Sequence, residues 1–301
     1  MLLMPMTKFS KILVGLELTP AGTAIGEGSE HAVARALDLA PRLDASVVLV
    51  HATARAEHYD RTSDAQHDVW RHREGLSGEG RRALDDVVTS FTDAGVDVEL
   101  ELVSDRAHHA IIETTERTGV DLVLIGKREP SSFDFDDRPL GAVALKLLRH
   151  CPAAVWTVAT PAKLPLKRIM AATDLGGEVG TRVIVTAGRL AAVHDAELVV
   201  LHARPRGLAS ALRGDEAESP GQVEQAVASV LARVEGAPMA QVVVTDGSPT
   251  GSIVKTSRER DPDLLVLGSV ARTGVRAALV GNTAERVFGL VDRPLLTIKP
   301  T

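Results

Sequence analysis

The sequence predicts a doubly wound α/β fold built twice in tandem, each copy around a five-stranded parallel sheet. Three observations carry this. First, the chain repeats itself. Residues 12–18, Ile-Leu-Val-Gly-Leu-Glu-Leu, return as 169–175, Ile-Met-Ala-Ala-Thr-Asp-Leu. Val-Val-Leu-Val-His-Ala at 47–52 returns at 198–203, and Asp121-Leu-Val-Leu-Ile-Gly126 returns as Asp263-Leu-Leu-Val-Leu-Gly268. A repeat this long means two domains of one fold rather than a short-period solenoid. Second, short Val/Ile/Leu runs alternate with longer helical stretches, the pattern of right-handed βαβ units. Third, those runs are continuous rather than alternating, as strands buried on both faces of a parallel sheet require.

In chain order, the first copy has strands near 11–17, 46–52, 97–103, 121–126 and 153–158. The second has them near 168–173, 197–203, 240–245, 263–268 and 294–299. The clearest helix is 220–235, where Val223, Ala226, Val227, Val230, Leu231 and Val234 form one stripe. Ser219 suits its N-cap, Pro220 its first turn and Gln222 a capping box, with Gly236 as the stop. The domains divide as 1–160 and 161–301. The linker Thr160–Lys167 carries Pro161 and Pro165, so the domains are expected to pack about a pseudo-twofold axis rather than swing freely. Residues 53–80 and 204–218 are polar or rich in turn formers and read as exposed, with helix resuming later. From about residue 103 onward the copies align at one offset without a gap, which pairs Cys151-Pro152 with Arg293-Pro294.

With 301 residues, each domain is long enough to bury a core. Apolar residues make up 45% and aromatics 3%, so aliphatic side chains and alanine must fill it. A formal charge of -6 without a Lys/Arg block argues against nucleic acid as partner, though not against one phosphate in a local pocket. The single cysteine, Cys151, excludes an intrachain disulfide and a cysteine zinc cluster and reads as a small buried hydrophobe. Met1–Ser10 lacks a sufficient signal-type apolar core, and no run approaches the roughly 18 apolar residues of a membrane span. A cytoplasmic protein without a membrane partner is expected.

The informative loop is Gly268-Ser-Val-Ala271-Arg272-Thr-Gly274-Val-Arg276-Ala-Ala-Leu-Val-Gly281-Asn282-Thr283. It follows a strong strand and runs into a helix starting near Asn282. Glycines allow close backbone approach, and the free N–H groups of a helix start point at anions. Asn282 or Thr283 can cap that helix, and Arg272 and Arg276 add charge. The competing structural reading is a glycine turn with arginines in solvent.

On these residues the chain resembles the universal stress protein family. Its nucleotide-carrying members have Gly-x2-Gly-x9-Gly followed by Ser or Thr after the fourth strand, and an Asp just after the first. Gly268 and Gly281 fit the outer glycines, and Asp174 fits the Asp. The run 272–285 resembles the tandem E-type members. The resemblance implies the adenine nucleotide alpha hydrolase-like fold. It also implies ATP or AMP in the second domain, which allows Mg beside it, contacting Thr173, Asp174, Ala203, Gly268, Ala271, Arg272, Gly281, Asn282 and Thr283. Two departures stand out: Ala271 replaces a glycine and Asn282 replaces the hydroxyl residue. If Ala271 needs a positive φ, the cost is on the order of 1 kcal/mol. In the first domain, Glu17 stands at Asp174, Glu129 at Ala271 and Pro139 at Gly281, with Asp134, Asp136 and Asp137 in the same loop. That domain is expected to bind no nucleotide in the family's mode.

Other constellations read as structural. His51 and His202 end the second strand of each domain. His58, His67 and His72 lie in a polar insertion without metal spacing. His108-His109 read as a cap or surface pair. Gly26-Glu-Gly28 lacks the rest of a dinucleotide fingerprint, and no P-loop or nucleophile elbow occurs. No nucleophile, base and orienting group stand together, so the sequence does not point to an enzyme. The functional reading is a stress-response regulator or protective protein that binds nucleotide. Two alternatives stand beside it: a nucleotide-free interaction scaffold with relic pockets, and a slow ATP hydrolase. Its partners are an adenine nucleotide and an unidentified protein, with the pair of domains acting as an intrachain pseudo-dimer that leaves a homodimer open.

Overall fold

The computed structural model describes residues 9–53, 76–127, 141–158, 161–204, 218–269 and 282–300. The chain divides into two compact units, Phe9–Ala162 and Lys163–Thr301. In the first, the strands are β1 (Lys11–Leu16), β2 (Ser46–Ala52), β3 (Val98–Val103), β4 (Leu122–Gly126) and β5 (Ala154–Val158). The helices are α1 (Glu27–Leu43), α2 (Gly78–Asp93), α3 (Ala107–Thr118) and α4 (Ala142–His150). The second unit holds β6 (Arg168–Thr173), β7 (Glu197–Arg204), β8 (Gln241–Asp246), β9 (Leu264–Gly268) and β10 (Leu295–Ile298), with α5 (Gly177–His194), α6 (Pro220–Leu231), α7 (Pro249–Arg260) and α8 (Asn282–Leu290). The ten expected strands are all present, within a residue or so at each end.

Strand order is β3-β2-β1-β4-β5 in the first unit and β10-β9-β6-β7-β8 in the second, all parallel within each unit. This is the doubly wound fold that the alternation predicted. The order reverses between β1 and β4, and between β6 and β9. Ligands of such sheets lie beyond the carboxyl ends of the strands at that reversal. The central strands are buried along their length, from Ile12 to Val14 and from Leu122 to Leu124 in one unit, and at Ile169–Ala171 and Leu264–Val266 in the other. Both-face burial does not extend to β3 and β8. Val-Glu-Leu-Glu-Leu-Val in β3 alternates, and Leu102 is exposed.

Each reversal is pinned at its amino end by one carboxylate. Asp121, just before β4, accepts hydrogen bonds from Ser10 N (2.8 Å), Ser10 Oγ (2.9 Å) and Lys11 N (3.2 Å) at the start of β1. Asp263, just before β9, accepts from Lys167 N (2.8 Å) and Arg168 N (3.0 Å) at the start of β6, with Lys163 Nζ at 3.2 Å. Burial alone would raise the Asp263 pKa. The two backbone donors and Lys163 outweigh it and hold the carboxyl below the usual carboxylate range.

Local signals decide several helix ends. Ser219 and Gln222 form the expected reciprocal capping box, with Ser219 N donating to Gln222 Oε1 at 2.7 Å. The helix stops at Leu231, earlier than expected, and turns carry the chain to Gly236, whose φ is 70°. Val223, Val227, Leu231 and Val234 are buried, whereas Ala226 faces solvent. Asp44, Asp195 and Asp261 end α1, α5 and α7 in the left-handed region, which Asp tolerates better than most residues. Cys151 is buried at 2% exposure, as expected of it, whereas Met239 is 96% exposed. Among the described residues, no helix is long and apolar enough to cross a membrane.

The expected gapless offset fails at the last strand. Leu122 pairs with Ala154, while its counterpart Leu264 stands one residue before Leu265, which pairs with Leu295. Pro294 is therefore level with Ala154, not with Pro152. The helices agree: α4 starts at Ala142 and α8 at Asn282, so the connection leaving Gly126 is two residues longer than that leaving Gly268. Gly141, not Pro139, holds the place before its helix that Gly281 holds. The matching Pro152 and Pro294 disguised the shift.

Replacing Asp263 by Asn should lower the stability of the second unit by about 1–3 kcal/mol at neutral pH, because two part-buried backbone donors lose a charged acceptor. A carboxyl whose folded pKa lies below its unfolded value stabilises above the unfolded pKa, about 4. That stability is lost as pH falls through the folded value. Urea titrations across pH 2–7 should therefore find Asp263→Asn and parent converging in acid; a constant gap would refute the pinning role. A second contrast concerns glycine. Gly221→Ala, in α6 with nothing within 4 Å of a new Cβ, should gain up to about 1 kcal/mol. Gly126→Ala, whose Cβ would sit inside the Gly28 backbone, should lose about 3 kcal/mol or more in the same titration.

Candidate functional site

The reversal in the second unit gathers the expected residues of β6, β7 and β9. Ala172 pairs with Leu267, so Thr173 and Gly268 end neighbouring strands. Thr173 is buried, and its hydroxyl works on the connection that follows. It donates to Gly180 O (3.2 Å) in the first turn of α5 and accepts from Leu175 N (3.0 Å). Asp174 is exposed at the strand end, and its Oδ1 accepts from Gly176 N at 2.9 Å. Leu175 takes a left-handed φ of 58° to make the turn. Residues 174–176 thus form a short, internally bonded connection that leaves the Asp174 carboxylate at the surface of the crevice.

Gly180 and Gly268 owe their identity to close approach. A Cβ on Gly180 would lie 3.1 Å from both Asp174 Oδ1 and Thr173 Oγ1. A Cβ on Gly268 would lie 2.7 Å from Val179 Cγ1. In the first unit, Gly126 and Gly28 meet in the same way, backbone to backbone. The glycine ending β4 or β9 is therefore required by helix packing in both units, whatever binds nearby. Sequence reasoning read Gly268 for a ligand or a turn, set Gly28 aside as an incomplete dinucleotide fingerprint and did not single out Gly180. The signal available for them was a glycine in the first turn of each helix, where propensity disfavours it.

Ala203 is half-buried in β7 and pairs with Thr245. Beside it, the buried His202 points Nδ1 at Thr173 O, 3.0 Å away. A carbonyl can only accept, so Nδ1 carries the proton and ties the end of β7 to the end of β6. His51 does the same for Leu16 O at 3.1 Å. The two repeated histidines thus lock strand ends. His202 Nε2 lies 3.5 Å from Glu218 Oε2. Arg204 is held by Asp246 (2.9 Å) and Glu218 O (3.0 Å).

Ala271, Arg272 and Gly281 lie outside the described residues, as do Glu129, Pro139, Asp134, Asp136, Asp137 and the histidines at 58, 67 and 72. Asn282 opens α8, and Thr283 is half-buried in its first turn. Among the described residues no group of three or more His, Cys, Asp and Glu side chains gathers as for a metal ion. Of the pair expected to cap or to lie at the surface, His109 is exposed and His108 does neither. α3 is capped at Arg106 without a side-chain bond, and His108 is buried. Burial, followed by Lys146, His109 and Arg106, lowers its pKa to about 4, so it sits neutral between α3 and its surroundings.

Among the described residues, the units differ most after the first strand. Where 174–176 join β6 to α5, residues 17–26 join β1 to α1 by a longer path. Leu18 and Ile25 bridge antiparallel, Thr19 N donates to Ala24 O (2.8 Å), Gly22 N to Thr19 O (2.7 Å), and Gly26 N to Glu17 O (2.8 Å). The chain leaves the strand end, folds into a small hairpin and returns. Thr-Pro-Ala-Gly at 19–22 is a turn signal that the sequence reading did not use.

The model of the family described as "Universal stress protein family" matches residues 8–159 and again 165–299. Universal stress protein E of Escherichia coli K12 is 27% identical over 244 residues, covering 76% of both chains. A shorter stretch of 58 residues is 45% identical to the Universal stress protein E homolog of Haemophilus influenzae Rd, covering 19% of each chain. A crystal structure of a universal stress protein from Archaeoglobus fulgidus aligns with a TM-score of 0.67 at 19% identity, covering 96% of this chain and 98% of that one, a likeness of fold.

Thr173→Val keeps the shape of the side chain and removes both hydroxyl bonds. It should cost about 1–3 kcal/mol and speed hydrogen exchange at Leu175, whereas Thr181→Val, whose hydroxyl bonds only Gly177 O within the exposed turn, should change exchange there little. Equal effects of the two would remove Thr173 from its positioning role.

Proposed function

The chain belongs to the universal stress protein family, and we propose that it is a stress-response regulator or protective protein that binds one adenine nucleotide, ATP or AMP, in its second unit. One observation supports this most: the open connection at 174–176, which presents the Asp174 carboxylate at the strand reversal beside the glycine end of β9. An exposed carboxylate is an acceptor and suits the hydroxyl and amino donors of a nucleoside, not phosphate. Phosphate suits the far side of the crevice, where α8 opens and its first N–H groups have no partner within the helix. On this reading Thr173 positions Asp174, Ala203 flanks the base, and Ala271, Arg272, Gly281, Asn282 and Thr283 serve the phosphates, with Mg beside them when ATP is bound.

The first unit reads as unable to bind in this way. Glu17 replaces Asp174, and Glu129 with Asp134, Asp136 and Asp137 adds negative charge to its loop. Pro139 is not among these obstacles, because Gly141 occupies the place before its helix that corresponds to Gly281. The cytoplasmic location, the protein partner and the divisions at residues 160 and 161 belong to the same proposal. The reading from another class, a scaffold without nucleotide, is supported by Gly268, whose identity helix packing alone explains.

Calorimetric titration with ATP and AMP should give at most one site per chain. Asp174→Ala should weaken it about tenfold or more, and Gly281→Pro should abolish it by removing a donor N–H. Ala271→Gly should strengthen it about fivefold, from relief on the order of 1 kcal/mol. If the parent takes up neither nucleotide and no variant changes that, the scaffold reading replaces this one.

A further inference from the structure

The hairpin at 18–25 is docked, not merely projecting. The hydroxyl of Ser77, the N-cap of α2, donates to Gly22 O at 2.7 Å and accepts from Gly80 N at 2.9 Å. Gly80 is the glycine that this docking requires: a Cβ there would lie 2.5 Å from Gly22 O, 3.0 Å from Leu18 Cδ1 and 3.2 Å from Leu76 Cδ1. The hairpin therefore has a hydrogen-bonded tip and an apolar base, both seated on the first turn of α2.

Topology fixes where it runs. β2 stands between β1 and β3, and α2 is the crossover from β2 to β3, packed on β3. Its first turn stands at the carboxyl end of the sheet. A segment that leaves the carboxyl end of β1 and reaches that turn runs toward the β2–β3 side of the unit at that end. In the second unit the connection from the first strand to its helix is the short 174–176, which forms no hairpin, and Asp174 remains exposed there.

We propose that the hairpin is an autoinhibitory strap, which closes the first unit's carboxyl-end crevice against adenine nucleotide and makes two units of one fold unequal. This rests on the nucleotide reading of the second unit and adds a cause for the asymmetry that can be removed. Glu17 and the acidic loop then act as secondary obstacles, and the strap as the primary one. Among the described residues, the strap is held to α2 by the Gly22–Ser77 bond and the apolar contact of Leu18 at Gly80.

The test uses the full chain. In one variant Glu17–Ile25 is replaced by Asp-Leu-Gly, the second unit's own connection. In another, Gly80→Ala, the strap is kept but its seat is filled. ATP uptake per chain is counted by equilibrium dialysis, and folding is checked by circular dichroism and melting. The parent should take up one ATP and the short-loop variant two, with Asp174→Ala in the short-loop background removing one of them. Gly80→Ala should show extra uptake above one. If the folded short-loop variant takes up no more than the parent, or the parent already takes up two, the strap proposal falls. Zero in the parent and one in the short-loop variant would uphold the strap and overturn the second-unit reading; zero in both would overturn both. Should the short-loop variant fail to fold, Gly80→Ala decides alone: extra uptake upholds the strap, and parental uptake refutes it.

Discussion

Everything at the carboxyl ends of these sheets depends on a bond made at the opposite ends. Asp121 and Asp263 each reach from the start of one strand to the first backbone N–H groups of its neighbour. They do so between β4 and β1, and between β9 and β6, the pairs across which strand order reverses. The reversal sets two strand ends beside each other with no crossover between them, and the carboxylate fixes how far each strand reaches. A slip of one residue would turn every side chain of the strand to the other face. It would also part Thr173 from Gly268 and move the glycine ends of β4 and β9 away from the helices that need them.

That constraint also explains why the fold was legible and where legibility stopped. Strands buried on both faces must be apolar throughout, so Ile12–Val14 and Leu264–Val266 declare themselves. The pinning aspartates repeat because both sheets need them, and they anchored the alignment of the copies. The shift before β5 and β10 was not legible. Pro152 and Pro294 match by residue type, and only strand pairing places Pro294 level with Ala154. Identity of a turn residue carries no register, whereas the partner across a ladder does.

The candidate site was legible in its chemistry more than in its causes. Asp174 stands exposed where the sequence placed it, but the hydroxyl that orients its connection belongs to Thr173, a residue that sequence alone cannot distinguish from any strand-end threonine. Gly268 was read for a ligand and is already explained by Val179. The hairpin at 18–25 escaped notice because turn residues announce a turn and not what it leans on. Its seat on Ser77 and Gly80 lies far along the chain.

The sulfur atoms of the chain are unequally placed. The one thiol, at Cys151, closes the end of α4 at 2% exposure, while the thioether of Met239 stands almost wholly in water. Oxidants act on thiolates they can reach, and a thioether in solvent is open to conversion into its sulfoxide. Peroxide would therefore meet Met239 long before Cys151. Damage there falls on the exposed segment ahead of β8, not on the core. The molecule can be marked by oxidation and still keep its fold, a useful order of vulnerability for a protein of a stress family.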